Sequence, residues 1–481
     1  MKAGFNTTIL RNILWIGGSG YMMTVVGFAG NLILARLLSP EEFGIFTLAA
    51  SVLVLVYMLS GFGSQEAIIQ YRGKDTARFI GTAFWMSIVI GALLALVGVL
   101  LGIGAQQFNY FDPLISQLMI GLALVYFGGV CSNTLSVLLQ RDLNHRPIAI
   151  IEAVSKMISF AVAIIFAWRG VGVWALFIRE SAEVGLKVIS LLWINPNIPK
   201  IYFDRDATRW IIKFGSRILF TRASETAYGR IDNLVVERAF GSATLGSYGM
   251  AYRLSQLGHQ LTYQTIGSVM FSAFASVQAS KERLLIGFER STFWLLRLSL
   301  LVALLAFALG EAATVLLYGE KWRQAGELLV SMTPFILFLP LYENNRVLLE
   351  GINQLDQIIR ATTIKFVVFI VGLLVLPLMM GLQGVIVAVN LSVLIGWLVL
   401  CAAVSRHLEV NWGRLLLRPA LAFGVTLLIL WNLPVFEGFG RILIPMFTTI
   451  TTYLISLFIF EYKLLLQEFS VVHKIAFGNA T

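Results

Sequence analysis

Charge is scarce in this sequence: Asp, Glu, Lys and Arg together make 13% of 481 residues, against 58% for apolar residues. An ordinary soluble domain carries about a quarter charged residues, so this composition excludes a large soluble domain and points to a polytopic membrane protein. Cysteine is nearly absent. Cys131 and Cys401 lie in separate apolar segments and are expected as free thiols. The four histidines, His145, His259, His407 and His473, share no metal-ligand spacing, so no metal site is expected. No glycine-rich phosphate loop ending in Gly-Lys-Ser or Gly-Lys-Thr is present, which argues against direct ATP hydrolysis, and no other motif suggests an enzyme. The net charge of +10 comes from Lys and Arg scattered between apolar spans, so nucleic acid is not an expected partner. The polar first eight residues precede a long span with no small-residue cleavage pattern, which reads as a retained first helix.

What the chain has in quantity is apolar stretches of membrane length, about 20 residues each. Fourteen are expected, at 11–35, 43–63, 79–104, 114–139, 147–168, 171–194, 210–237, 243–273, 292–318, 324–350, 358–380, 382–405, 414–433 and 438–460. With the N-terminus inside, 20 basic residues fall in cytoplasmic segments and six outside, Arg36 and Arg238 among the six. That asymmetry predicts both termini in the cytoplasm. The other ten basic residues fall within spans, none of them in the last three, which read as lipid-facing helices. The tail KLLLQEFSVVHKI is amphipathic and expected on the inner leaflet. Sequons at Asn6 and Asn479 fall on the predicted cytoplasmic tails and read as chance; the glycines of GGSG at 17–20 and GFG at 61–63 read as packing or hinge positions.

The seventh span carries charges that a bilayer should exclude. Read as one helix, 217–237 sets Arg222, Glu225, Thr226, Gly229, Arg230, Asn233 and Glu237 on one face. Each charge near the bilayer centre costs roughly 2.5–3.5 kcal/mol, so that face is expected to look into a protein interior or a wet cavity. Arg222 and Arg230, two turns apart, suit a diphosphate, with Glu225 holding them apart or taking a coupling cation. Asp232 and Glu237 are expected near the outer mouth, in solvent.

A shift of 202 positions matches Ile16, Thr24, Gly27, Asn31, Leu32, Arg36, Gly44 and Ala49 to Ile218, Thr226, Gly229, Asn233, Leu234, Arg238, Gly246 and Ala251. Such an internal repeat, with six spans per copy, predicts two parallel lobes related by an axis along the membrane normal and a site between them. The expected organisation is an N-terminal six-helix lobe (1–195), an interfacial linker (196–209), a C-terminal six-helix lobe (210–406), two extra helices (407–462) and a cytoplasmic tail (463–481).

Further polar constellations lie in other spans. Tyr248, Tyr252, Ser255, Gln256, His259 and Tyr263 share a face of the eighth, offering a sugar-bearing ligand rings and hydroxyls, or a neighbouring helix a packing surface. Arg179, Glu180, Glu183 and Lys187 in the sixth, and Glu152 with Lys156 in the fifth, hold pairs at helical spacing that can neutralise each other. In the tenth, Pro334 and Pro340 are expected to break the helix before Tyr342, Glu343, Asn344, Asn345 and Arg346.

The stretch NLILARLLSPEEFGIFTLAASVLVLVYMLSGFGSQEAIIQ, its shifted copy NLVVERAFGSATLGSYGMAYRL and the fourteen spans resemble the polysaccharide transporter branch of the multidrug/oligosaccharidyl-lipid/polysaccharide exporter superfamily, the Wzx-type flippases. The resemblance implies an all-α integral membrane protein of the bacterial inner membrane. It also implies transfer of an undecaprenyl-diphosphate-linked oligosaccharide from inner to outer leaflet by alternating access through a cationic cavity. Expected cavity residues are Arg222, Arg230, Asn233, Arg346, Tyr252, His259 and Asn31; expected coupling-ion or gating residues are Glu225, Glu180 and Glu343. No cofactor is expected beyond a coupling proton or sodium ion. Expected partners are membrane lipid, the lipid-linked glycan and polysaccharide polymerase and ligase machinery. A cation-coupled multidrug antiporter, a lipid II flippase and a non-transporting scaffold or scramblase are the competing readings.

Overall fold

The run Ser39-Pro40-Glu41-Glu42 is a helix start written in sequence, with a capping side chain, a proline that needs no amide partner and an acid that reaches back. In the computed structural model, which describes residues 22–477 apart from 62, 72, 74, 142–144, 435 and 437, that start is formed. Ser39 Oγ accepts from the Glu42 amide at 3.2 Å, and the Glu42 carboxylate accepts from the Ser39 amide at 2.6 Å. Side chains at 216–222, 264–269, 469–477 and a few single positions lie outside the description. Arg222 is one of them, and GGSG at 17–20 and both sequons fall outside the described residues altogether.

The described residues form helices and connections, with no strand. They divide into two compact units, 1–246 and 247–481. The first holds α1 (Met22–Leu37), α2 (Pro40–Tyr57), α3 (Ser64–Gln70), α4 (Thr76–Gln107), α5 (Pro113–Arg141), α6 (His145–Trp168), α7 (Trp174–Ile194), α8 (Arg205–Tyr228) and α9 (Ile231–Phe240). Helix α10 (Ser242–Ser276) begins in the first unit and continues in the second. The second goes on with α11 (Lys281–Tyr318), α12 (Arg323–Ser331), α13 (Thr333–Gly351), α14 (Leu355–Met380), α15 (Leu382–Val404), α16 (Trp412–Trp431) and α17 (Gly440–Phe477). Among the described residues nine helices are long and apolar enough to cross a membrane, and α12 with α13, bent by 51° at their junction, make a tenth. The chain is a multi-pass membrane protein. α7, with Arg179, Glu180, Glu183 and Lys187, is of membrane length but outside that set.

Close approach of helices rests on small residues, as hydrocarbon gives no hydrophobic drive between them. A Cβ on Gly98 would press the Ala123 Cβ at 2.9 Å, and one on Gly372 would press Ala388 at 2.8 Å. The repeat has a structural counterpart within the first unit. α2 starts at Pro40 and α10 at Ser242, 202 positions apart, and their first turns cross at Gly44 and Gly246.

Three expectations about helices differ from the structure. The seventh span is two helices, interrupted at Gly229 and Arg230, so its polar residues do not share one continuous face. The tenth span breaks at Met332, ahead of both prolines; Pro334 occupies the first turn of α13, where its missing amide costs nothing, and Pro340 sits inside an unbroken helix. The last three helices are not merely lipid-facing. Trp397, Leu400 and Val404 of α15 and Tyr453 and Leu457 of α17 pack into one core with Phe288, Leu295 and Leu348.

α17 is also tied to α11 by charge. Arg297 donates through Nε and Nη2 to both oxygens of Glu461, at 2.8 and 2.6 Å, with both residues buried. Its guanidinium carbon lies 3.3 Å from the centroid of the Phe293 ring, and Tyr453 Oη donates to the Arg297 carbonyl at 2.9 Å.

Candidate functional site

In the first unit the site is built at the break between α8 and α9. Asp204 opens α8, its Oδ1 accepting from the amides of Asp206 and Ala207 at 2.8 and 3.1 Å. Before it, the connection 195–204 lies along α4: Trp85 Nε1 donates to the Pro199 carbonyl at 3.0 Å, and the Asp204 amide donates to Thr82 Oγ1 at 3.1 Å. α8 then runs to Tyr228, and the Arg230 amide closes a turn on the Ala227 carbonyl at 3.1 Å. Arg230 heads α9, and its side chain makes no capping hydrogen bond there.

The Arg230 guanidinium is half-buried and makes no hydrogen bond or ion pair among the described residues. It lies within electrostatic range of the Tyr126 hydroxyl on α5, as do Glu180 and Arg179 of α7. Arg179 pairs with Glu180 and, at 3.7 Å, with Glu183, which also binds Lys187 at 2.7 Å. One edge of Arg179 stays unsatisfied: Nε is buried without a partner, and the guanidinium carbon stands 5.3 Å from the Phe160 ring centroid. Lys156 on α6 donates to the Met23 carbonyl on α1 at 2.9 Å and lies against Gly27. Chemically this is a mixed set in which Glu180 and Glu183 balance Arg179 and Lys187, while two guanidiniums, Arg179 and Arg230, keep unused donors. A guanidinium with an unused donor can bind an oxyanion.

Of the residues singled out from sequence, Arg230 and Glu180 both lie within electrostatic range of Tyr126. Glu225 is exposed on the last turn of α8. Asn31 donates to the Gly27 carbonyl at 2.7 Å, and Asn233, buried, donates to Ser51 Oγ at 2.8 Å. Asp232 corrects its expectation: it is 2% exposed rather than in solvent, with Oδ1 accepting from the Asn233 amide at 2.9 Å. Glu237 is half-buried and accepts from Ser242 Oγ at 2.8 Å.

The second unit gathers a separate patch. The His259 ring stacks on Tyr263, centroids 5.3 Å apart, and Tyr263 Oη donates to the Glu343 carbonyl at 3.4 Å. Arg346 pairs with Glu343 at 2.7 Å and Glu350 at 3.3 Å. Tyr252 stands 5.3 Å from the Phe335 ring, while Tyr248 and Ser255 on the same helical face are wholly buried in packing. Both cysteines are free thiols, and Asn345 Nδ2 donates to Cys401 Sγ at 3.2 Å.

Sequence reasoning passed over Tyr126, which carried no signal beyond being one ring in an apolar run. It set Lys156 and Arg179 aside as self-neutralising pairs. The pairs form for Arg179, yet the Lys156 ammonium reaches α1 rather than an acid on its own helix.

A family model described as "Polysaccharide biosynthesis protein" matches residues 33–327. The succinoglycan biosynthesis transport protein ExoT of Rhizobium meliloti (strain 1021) is 26% identical over 370 residues, covering 72% of this chain and 70% of its own. The lipopolysaccharide biosynthesis protein WzxC of Escherichia coli (strain K12) is 22% identical over 315 residues, 64% of this chain and 63% of its own. The fold is similar to that of the lipid II flippase MurJ in an inward closed conformation, with a TM-score of 0.76 at 16% identity over 94% of this chain and 100% of that one. An inward-facing multidrug resistance MATE family transporter of the MOP superfamily gives 0.62 at 14% identity, over 80% of this chain and 95% of that one.

Proposed function

The chain belongs to the polysaccharide biosynthesis protein family, and from that premise we propose that it is a flippase for an undecaprenyl-diphosphate-linked oligosaccharide, carrying an O-antigen, capsule or exopolysaccharide repeat unit from the inner to the outer leaflet of the bacterial plasma membrane. The observation that carries this reading is the Arg230 guanidinium, at a helix break, without a hydrogen bond or ion pair among the described residues and within electrostatic range of Tyr126. A diphosphate at that point would accept from Arg230 and from the free edge of Arg179, and the helix dipole of α9 adds to the attraction. Arg222 is the second guanidinium expected from the sequence, and its part in the clamp is left to the experiment.

Both termini then lie in the cytoplasm, and two six-helix lobes alternate access around the bound headgroup. The prenyl chain stays in lipid. Neutralising Arg230 favours whichever state binds the diphosphate more tightly, and only that differential affinity moves the equilibrium. An interior-negative potential favours outward movement of an anion by about 2.3 kcal/mol per charge per 100 mV. Coupling to a proton or sodium ion adds a second drive, with Glu225, Glu180 and Glu343 as its acids. Arg346, His259 and Tyr252 would contact the glycan, and polymerase and ligase machinery would take the product.

The test is transfer of a fluorescent undecaprenyl-diphosphate glycan across proteoliposome membranes, by wild type and by the Arg222→Ala, Arg230→Ala double variant at matched insertion. Two lost charge-assisted contacts, at about 1.5–3 kcal/mol each, should cut transfer at least tenfold. Equal transfer by both would sink the clamp. Export of an organic cation by a protein that moves no lipid would replace the flippase with the antiporter.

A further inference from the structure

Beside the break, α9 forms one wall of a cavity that the diphosphate site does not use. Leu48 of α2, Tyr110 and Phe111 from the connection between α4 and α5, and Ile231, Leu234 and Val235 of α9 line about 390 Å³ of almost wholly apolar space. Arg238 brings the single charge, at the end of α9 away from Arg230. It is exposed and makes no hydrogen bond or ion pair among the described residues. The distribution of basic residues along the sequence puts Arg238 and the 105–113 connection on the outer side of the membrane.

We propose that this crevice holds the lipid product in the outer leaflet: the first isoprene units of a single-chain prenyl diphosphate lie against α2 and α9, with the diphosphate at Arg238. Charge complementarity and volume favour that occupant. One guanidinium at the rim of an apolar slot matches one anionic head on one chain. At about 390 Å³ the slot suits part of one chain. A glycerophospholipid would have to leave its second acyl chain outside. Arg230 and Arg238 stand eight residues apart on one short helix, about 12 Å along its axis, so a headgroup leaving the first guanidinium meets the second on the outward side. The proposal rests on the flippase reading for the identity of the lipid, and on the crevice alone for its place.

The experiment is photo-crosslinking of the full-length protein in nanodiscs with a benzophenone-bearing geranylgeranyl diphosphate, the labelled peptides being mapped by mass spectrometry. Label should fall on α9, α2 and the 105–113 connection. Leu234→Trp, which fills the slot, should abolish it. Arg238→Ala should weaken it about fivefold or more, the value of one surface cation toward an anionic lipid, and Arg238→Lys should restore much of it. Unlabelled undecaprenyl diphosphate should compete; phosphatidylglycerol and undecaprenol at the same concentration should not. Competition by phosphatidylglycerol, or label indifferent to both Leu234→Trp and Arg238→Ala, overturns the proposal. If the label behaves as expected in a protein that transfers no lipid-linked glycan, the crevice stands and the flippase reading falls.

Discussion

Gly44 and Gly246 occupy each other's place across a local two-fold. A Cβ on Gly44 would collide with the Ser242 carbonyl and reach the Gly246 amide nitrogen at 3.0 Å; a Cβ on Gly246 would collide with the Pro40 carbonyl and reach the Gly44 nitrogen at 3.0 Å. Each pair is separated by the 202-residue shift of the repeat. Gly44→Val and Gly246→Val should each destabilise the protein by about 1–3 kcal/mol, the usual cost of overpacking. Because both force the same two helices apart, the second change should cost less in the presence of the first. Thermal unfolding of the two single variants and the double measures this, and strict additivity would count against a shared crossing.

The Arg297–Glu461 pair is buried and bidentate, so removing one partner strands a charge. Glu461→Ala should cost about 3–5 kcal/mol, whereas Arg297→Met with Glu461→Leu, which removes both charges, should lie close to wild type. Unfolding temperatures of the single and double variants in one detergent decide it. Equal losses would mean the pair contributes nothing beyond packing.

Lys156 spends its ammonium on the Met23 carbonyl, 133 residues away on α1. Lys156→Met keeps the stem and removes the donor, and amide exchange across α1 should quicken while α4 and α5 are unchanged. Unaltered exchange in α1 would show that its packing, rather than this tether, holds it.

Asp232 accepts an amide inside the first unit, and Asn keeps that acceptor where Ala does not. Asp232→Ala should therefore destabilise more than Asp232→Asn, by about 1 kcal/mol or more. Proteolytic half-life of the reconstituted protein would rank them; the reverse order would show that the charge matters more than the bond.

Helix order was legible in the sequence because each span needs only its own run of apolar residues, and the start of α2 because Ser39, Pro40 and Glu42 act over three residues. The repeat was legible because side-chain identities survive at a fixed shift. What escaped has a partner far off in the chain. Asp232 was expected in solvent because it falls near the predicted outer mouth, and nothing in its own stretch of sequence announces its burial. Arg297 and Glu461 are 164 positions apart, so neither signals the other. At Pro340 the local rule gave the wrong break, since neighbouring helices let the α13 backbone continue through the proline. Arg230 was found by its cost in lipid; its electrostatic reach to Tyr126 was not, because an isolated tyrosine in an apolar run has no cost to notice.

α17 runs for 38 residues without interruption, roughly 57 Å, where the hydrocarbon layer needs only about 30 Å. Glu468 meets Arg290 of α11 at 3.5 Å, one more tie beyond the Arg297–Glu461 pair. A protein joined in helical register to the end of α17 would inherit that stiffness instead of swinging on a loose leash. For a membrane protein this small, the helix is a built-in mast on which to raise a rigid landmark for particle alignment in electron microscopy.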